Sequence, residues 1–278
     1  MLMNETLIII GLTLLGLCFG SFVNAAVWRI KKKKNLWNDR SQCVHCHHKL
    51  AAYDLIPVFS WLSLRGKCRY CKKPISRQYP FVEVAVALFF VGSYLFWPYM
   101  LTGVAPWLIF SLWLIAGVML AILFIYDLKW LLLPDKATFP LIGVGVLTVA
   151  VKLVTAQDIA TTLISTALAV LILSGIYLIV FIWSKGKWIG FGDVKLGLAL
   201  ALLLGDWQLA LLALFLANLI GCIVVLPAMA QNKLKRTSHI PFGPFLIAGF
   251  IIAGLFGPAI IDWYLAISMI GIPTTDTI

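Results

Sequence analysis

The sequence predicts an all-α polytopic membrane protein, with about eight transmembrane helices and a small cysteine-bearing cytoplasmic domain inserted after the first. Three observations carry that reading. Hydrophobic residues make up 62% of the 278 residues and charged ones 12%, more apolar surface than a soluble domain of this size can hide. The apolar residues fall in runs of about 20, the length that crosses a bilayer as a helix. The charge is gathered in one place. Residues 29–79 hold thirteen lysines and arginines against Asp39 and Asp54, a surplus equal to the whole chain's net +11.

The helices are expected near 7–28, 81–97, 106–126, 137–154, 159–183, 193–205, 207–230 and 242–266. The first reads as a retained span rather than a cleaved signal. Met1 to Glu5 carries an acid and no lysine or arginine, and no small-residue cleavage site follows. The sixth is short and reads as a tilted or partly inserted helix. Loop charge sets the orientation: 29–79, 127–136, 184–192 and 231–240 carry lysines or arginines, whereas 98–105, 155–158 and 205–206 carry none. By the positive-inside rule the first group is cytoplasmic. Three segments follow: the first transmembrane helix (1–28), a cytoplasmic metal-binding domain (29–80) and a transmembrane helical domain (81–278). The basic segment beside the first span reads as a topology signal drawn to anionic membrane lipids, not as a nucleic-acid site. Trp28, Trp97, Trp130, Trp183 and Trp188 near span ends fit an interfacial belt.

Within 29–80 the cysteines follow a repeated spacing, Cys43-Val44-His45-Cys46 and then Cys68-Arg69-Tyr70-Cys71. Four thiolates so spaced suit tetrahedral zinc. A segment of about 50 residues with few aliphatic side chains needs such a staple. Disulfides are disfavoured in the reducing cytoplasm. His45, His47 and His48 read as solvent-facing or supporting residues, with substitution for a cysteine ligand as the alternative. Cys18 and Cys222, inside spans, read as packing residues.

Two carboxylates stand at the rims of apolar runs, Asp127 after Tyr126 and Asp193 in Gly190-Phe191-Gly192-Asp193. A carboxylate beside lipid is costly and is by default a functional group. The orientation places both on the cytoplasmic rim. Two carboxyls sharing a site divide into one proton donor and one base, the requirement for amide hydrolysis through water. Helix capping, or pairing with Lys129 or Lys195, are the plain structural uses of the same residues. Asp135 is a third carboxylate at this level. Asp206 and Asp262 read as loop and rim charges, and Glu83 as a group that binds a cationic segment or pairs with Arg77.

The ordered set of motifs resembles the bacterial prepilin peptidases, or type IV leader peptidases. It comprises Gly20-Ser21-Phe22-Val23-Asn24, Arg40-Ser41-Gln42-Cys43, Asp54 with Ile56-Pro57, Gly66 to Cys71, Ile75 to Glu83, Asp127, Leu132-Leu133-Pro134-Asp135 and Gly190 to Lys195. The likeness covers almost the whole chain. It implies an intramembrane aspartyl protease with Asp127 and Asp193 as the catalytic pair and Cys43, Cys46, Cys68 and Cys71 as the metal set. It implies cleavage of the basic leader from type IV prepilins and type II secretion pseudopilins after a glycine. It further implies N-methylation with S-adenosylmethionine, in a multi-pass protein of the bacterial cytoplasmic (inner) membrane. No glycine-rich cofactor loop occurs in residues 29–79, so the methyl-donor site has no sequence signal. The competing classes are a transporter and a non-catalytic membrane scaffold carrying a zinc module. Against a transporter, repeated halves and broken midplane helices are lacking.

Overall fold

The computed structural model describes residues 2–36, 40–231 and 240–270. Asp39 and the basic residues Lys233, Lys235 and Arg236, used above for topology, lie outside the described residues. The helices are α1 (Leu2–Lys31), α2 (Phe59–Ser63), α3 (Gln78–Leu95), α4 (Val104–Trp130), α5 (Asp135–Thr155), α6 (Ile159–Val170), α7 (Ile176–Ser184), α8 (Phe191–Leu204), α9 (Trp207–Ala230) and α10 (Gly243–Ile270). A 3-10 turn covers Ala52–Leu55, and a π-helical turn, Leu171–Gly175, joins α6 to α7. The all-α class holds. Seven segments are long and apolar enough to span a membrane, with α6, the π turn and α7 counted as one. The eighth expected span is α8. Its 14 residues rise only about 21 Å at 1.5 Å each, short of a hydrocarbon core about 30 Å thick.

Other expectations shift at the edges. α4 runs on to Trp130, so Asp127 sits in its last turn rather than beyond it. Cys18 and Cys222 are exposed on their helices and do not pack inside the protein. Leu14, Ile164, Phe215 and Ile223 are likewise exposed, the outward apolar surface that lipid covers.

The chain forms two compact units, Met1–Trp97 with Phe110–Leu141, and Pro98–Ile109 with Ile142–Ile278. In the first, α1 and α3 pack through residues spaced four apart. A Cβ on Gly16 would lie 2.5 Å from the Ala87 Cα, and one on Gly20 2.5 Å from the Glu83 Cα. Only glycine permits that approach, the small-residue seam of membrane helices. One turn on, Asn24 closes the seam, its Nδ2 donating to the Tyr79 carbonyl at 3.1 Å while its Oδ1 accepts from Gln78 at 3.3 Å. Deeper in the same unit the Trp113 indole N–H donates to the Ser93 hydroxyl at 2.9 Å.

The second unit uses the same device. A Cβ on Gly249 of α10 would lie 2.5 Å from the Ala213 carbonyl oxygen of α9. One on Gly197 of α8 would collide with the Leu173 carbonyl in the π turn. Beside it the Ser174 hydroxyl donates to the Val194 carbonyl at 3.0 Å. Lys152 of α5 donates to the Leu204 carbonyl at 2.6 Å, a cation at the negative end of α8. Asp206 caps α9 by accepting from Gln208 and Leu209 at 2.9 and 3.0 Å, as expected of a loop carboxylate.

Candidate metal centre and candidate carboxylates

The two cysteine pairs fold into the same local structure. In the first, the Cys43 N–H donates to the His48 carbonyl and the His47 N–H to the Cys43 carbonyl, both at 3.0 Å. In the second, Cys68 donates to Lys73 at 2.9 Å and Lys72 to Cys68 at 3.0 Å. Each turn is closed by an antiparallel bridge, Gln42 with Lys49 and Lys67 with Pro74. Each also passes through one left-handed residue after its second cysteine, His47 with φ 57° and Lys72 with φ 60°. Such knuckles point both sulfurs of a pair, and two backbone N–H groups, at one point. The repeat lies in backbone geometry; in sequence it leaves only the shared cysteine spacing and the polar pairs that follow, His47-His48 and Lys72-Lys73.

The two knuckles converge. The four sulfurs of Cys43, Cys46, Cys68 and Cys71 all lie within 4.8 Å of one another, with Cys43 and Cys71 Sγ 3.9 Å apart. Thiolates about 2.3 Å from a tetrahedral ion stand roughly 3.8 Å apart, so the donor set fits. Its electrostatics ask for a cation. At Cys43 burial opposes ionisation, but backbone N–H groups of Cys46 and His45 outweigh it and bring the thiol down to about 7. At Cys71 the Lys73 N–H favours the thiolate, but burial and the neighbouring thiols push it up to about 11. Four thiols this close shed all their protons only with a positive ion among them. The histidines stay outside the cluster: His45, His47 and His48 are exposed, and His48 stacks on Tyr70 at 3.7 Å.

A polar clasp fastens the second knuckle to the 3-10 turn. Asp54 accepts from the Arg69 Nε at 2.7 Å, the Tyr70 hydroxyl at 3.0 Å and the Ala51 N–H at 3.2 Å. Burial alone would raise its carboxyl, but the Arg69 and Tyr70 bonds hold it below the usual range. Arg69 also lies over the Tyr53 ring, 4.8 Å from its centroid.

The candidate carboxylates fall one in each unit. Asp127 belongs to the first, in the last turn of α4, and is 6% exposed. Its carbonyl accepts the Leu131 N–H at 2.8 Å, and Leu131 turns left-handed at φ 54° to end the helix. Asp193 belongs to the second and is half-buried in the first turn of α8. Gly190 occupies the capping position, in extended conformation and without a side-chain cap. Asp193 is thus not the helix cap; its N–H donates back to the Gly190 carbonyl at 3.1 Å. A Cβ on Gly190 would stand 3.7 Å from Asp193 Oδ2, an ordinary contact. Asp135 is exposed and opens α5.

Among the described residues Glu83 makes no ion pair with Arg77. It is 6% exposed, and its Oε2 accepts the Val58 N–H at 2.7 Å rather than pairing with Arg77. Val58 has φ 60° and ψ −50°, the rare positive-φ γ-turn, with Phe59 N donating to Pro57 O at 2.5 Å. Left-handed backbone in a β-branched residue is strained and needs an outside tie. The clasp has no signature in sequence, since 25 residues separate its halves.

What the residues define is a polytopic membrane protein with a four-thiol cluster and two carboxylates at the ends of apolar helices. Residues 14–97 match the bacterial peptidase A24 N-terminal domain, and residues 114–226 match the type IV leader peptidase family. The chain is 37% identical over 233 residues to a prepilin leader peptidase/N-methyltransferase of Aeromonas hydrophila, covering 83% of this chain and 76% of that protein. Proteins of the same name from Stutzerimonas stutzeri and Pseudomonas aeruginosa are each 31% identical over 276 residues, covering 90% and 91% of this chain and 91% of either relative. No solved structure matches. The chain belongs to the type IV leader peptidase family. It is an enzyme of a protease family and a multi-pass inner-membrane protein, and the transporter and scaffold readings fall with that membership.

Proposed function

We propose that this chain is a membrane aspartyl endopeptidase that removes the basic leader from type IV prepilins and type II secretion pseudopilins after a glycine. S-adenosylmethionine-dependent methylation of the new N-terminus then follows. The observation that carries the reading is Asp127, a carboxylate 6% exposed in the last turn of an apolar helix, within the region matched to the leader peptidase family. Such a group is retained for chemistry, because burying it costs several kcal/mol, on the order of 3 or more.

Asp127 and Asp193 are the catalytic pair of this reading, at the cytoplasmic side of the membrane. Asp193 stands at the positive end of α8 and Asp127 at the negative end of α4. In this reading Asp193 activates the water and Asp127 gives a proton to the scissile carbonyl. Cys43, Cys46, Cys68 and Cys71 hold zinc, which supplies a cross-link rather than a reacting centre, since all four positions are taken by protein. The division into a first span (1–28), a zinc domain (29–80) and a protease domain (81–278) belongs to the same reading, as does contact of the basic segment with anionic lipid.

The test is incubation of the purified protein with a prepilin, with and without S-adenosylmethionine, read by intact mass. Loss of the leader, followed by a gain of one methyl group only with the donor, is expected. Asp127→Asn and Asp193→Asn should each cut cleavage by about 10³-fold while folding persists. Asp135→Asn should be milder. Full cleavage by a folded Asp127→Asn or Asp193→Asn protein would falsify the assignment.

A further inference from the structure

Among the described residues one buried side-chain polar atom is left without a hydrogen-bond partner, the Tyr177 hydroxyl of α7. Tyr177 is 4% exposed. A hydroxyl hidden from water and unbonded is costly, and native proteins keep few of them. Phenylalanine would fill nearly the same space without that cost. The oxygen therefore calls for a use.

Its place in the second unit points to one. Single π turns inside α-helices are frequent at functional sites, and Tyr177 follows such a turn directly. Ser174 and Tyr177 stand three residues apart, the spacing of one helix face, and both are buried. That face meets α8. The Ser174 hydroxyl bonds the Val194 carbonyl at 3.0 Å, and the Phe181 ring packs on Phe191 with centroids 5.4 Å apart. Along α7 Tyr177 lies between Ser174 and Phe181, as along α8 Asp193 lies between Val194 and Phe191. The two contacts run in opposite directions along the helices, so the tyrosine stands at the level of the carboxylate. Its hydroxyl is within the electrostatic reach of Asp193. The ring meets Phe242 edge-on at 5.5 Å, a packing that limits its movement. Asn218 of α9 is the other polar side chain in reach. It is exposed and gives an amide N–H to the Leu214 carbonyl at 2.8 Å.

We propose that Tyr177 is a positioning residue for Asp193. With substrate bound, its hydroxyl donates to one carboxylate oxygen and leaves the other aimed at the attacking water. The inference rests on the reading of Asp193 as the base, and it names the group that orients that base. Hydrogen bonds of this kind are often open in a substrate-free enzyme and close in the complex. Asp193 takes a proton from the water as the water oxygen bonds the carbonyl carbon. Asp127 gives its proton to the carbonyl oxygen. Tyr177 keeps its own proton throughout.

The test is cleavage of a purified prepilin by the full-length protein in detergent, comparing wild type with Tyr177→Phe, Asn218→Ala and Asp193→Asn. Tyr177→Phe should lower kcat on the order of tenfold, the worth of a hydrogen bond to a charged group. KM should stay within about twofold, because the bond serves the reacting step. The midpoint of thermal unfolding should hold level or rise, since the lost hydroxyl was unbonded. A hydroxyl with a packing role alone cannot give that combination. Asn218→Ala should cleave as wild type does. Wild-type kcat in Tyr177→Phe, a loss confined to KM, or a kcat loss that comes with a lowered midpoint overturns the proposal. An equal kcat loss in Asn218→Ala also overturns it, by making the asparagine the hydroxyl's partner. Asp193→Asn separates these results from the parent reading. A fully active Tyr177→Phe beside an inactive Asp193→Asn sinks the positioning role alone. Full cleavage by a folded Asp193→Asn protein sinks the catalytic pair, and this inference with it.

Discussion

Residues 40–77 and the junction of α8 with the π turn hold together by opposite means. In the first, the buried apolar side chains are those of Cys43 and Cys68 alone. What organises it is a set of directed bonds: two knuckles, four converging sulfurs and the Asp54 clasp. In the second, eight of the fourteen α8 residues are buried, all apolar or glycine. There the contact is close packing, tightest where Gly197 meets the Leu173 backbone. The contrast follows from solvent. In water a short, polar segment gains too little from burial and needs cross-links. In lipid burial gives helices no advantage over the acyl chains, and fit is what remains.

The largest expected effect therefore comes from removing the zinc proposed for the four-thiol cluster. A structural zinc site contributes about 10–16 kcal/mol of binding free energy. Chelation, or Cys43→Ser, should strip the ion and abolish amide-exchange protection over residues 41–75. Protection in α9 and α10 should not move. If those helices loosen as well, the two regions are not independent and the comparison breaks.

Next comes packing. Gly197→Leu drives a side chain into the Leu173 carbonyl, and overpacking of this kind costs about 3 kcal/mol. A lowered midpoint of thermal unfolding in detergent is expected, with metal content unchanged. A variant as stable as wild type would mean that the α8 junction is looser than its geometry.

Ser174→Ala probes a directed bond in the packed region. Its partner, the Val194 carbonyl, lies next to Asp193. The loss should be about 1 kcal/mol, smaller than at Gly197. A larger loss from the serine would make polar bonding, not fit, the organising force there.

Smallest is the Asp54 clasp, because Arg69 is 42% exposed and solvent screens the pair. The folded carboxyl titrates below its ordinary value. Its contribution is therefore complete above the unfolded value, about 4, and is lost as pH falls through the lower folded value. The stability difference between wild type and Asp54→Asn should be level from neutral pH down to about 5 and shrink below about 4. Metal content is followed alongside, because loss of the ion would unfold the segment that carries Asp54 and close the gap without any titration of its carboxyl. A gap that widens in acid would show that the sign is wrong.

Much of the architecture was legible from composition. Each of the eight expected spans has a helix at its place, because hydropathy and length are properties of single segments. The doubled Cys-x-x-Cys was legible because metal-ligand spacing is also local. Other features had no local signal. The knuckles repeat in backbone hydrogen bonds, but His47-His48 and Lys72-Lys73 share polarity rather than identity. The shortness of α8 was visible; that Gly197, Ser174 and Lys152 anchor it was not, because their partners are carbonyls contributed from other segments.

By itself the sequence determined the class of protein, the family and the residue types available for chemistry, since apolar run length, charge asymmetry and motif spacing depend on neighbours along the chain. Only the tertiary structure decided which groups face one another. It tied Glu83 to Val58 instead of Arg77, gave Asp193 a place inside the first turn instead of the cap, and gathered motifs far apart in sequence around one cavity. The physical reason is the same in each case. A buried charge, a strained turn or a void is settled by atoms far apart in sequence and close in space, and no pattern along the chain records that closeness.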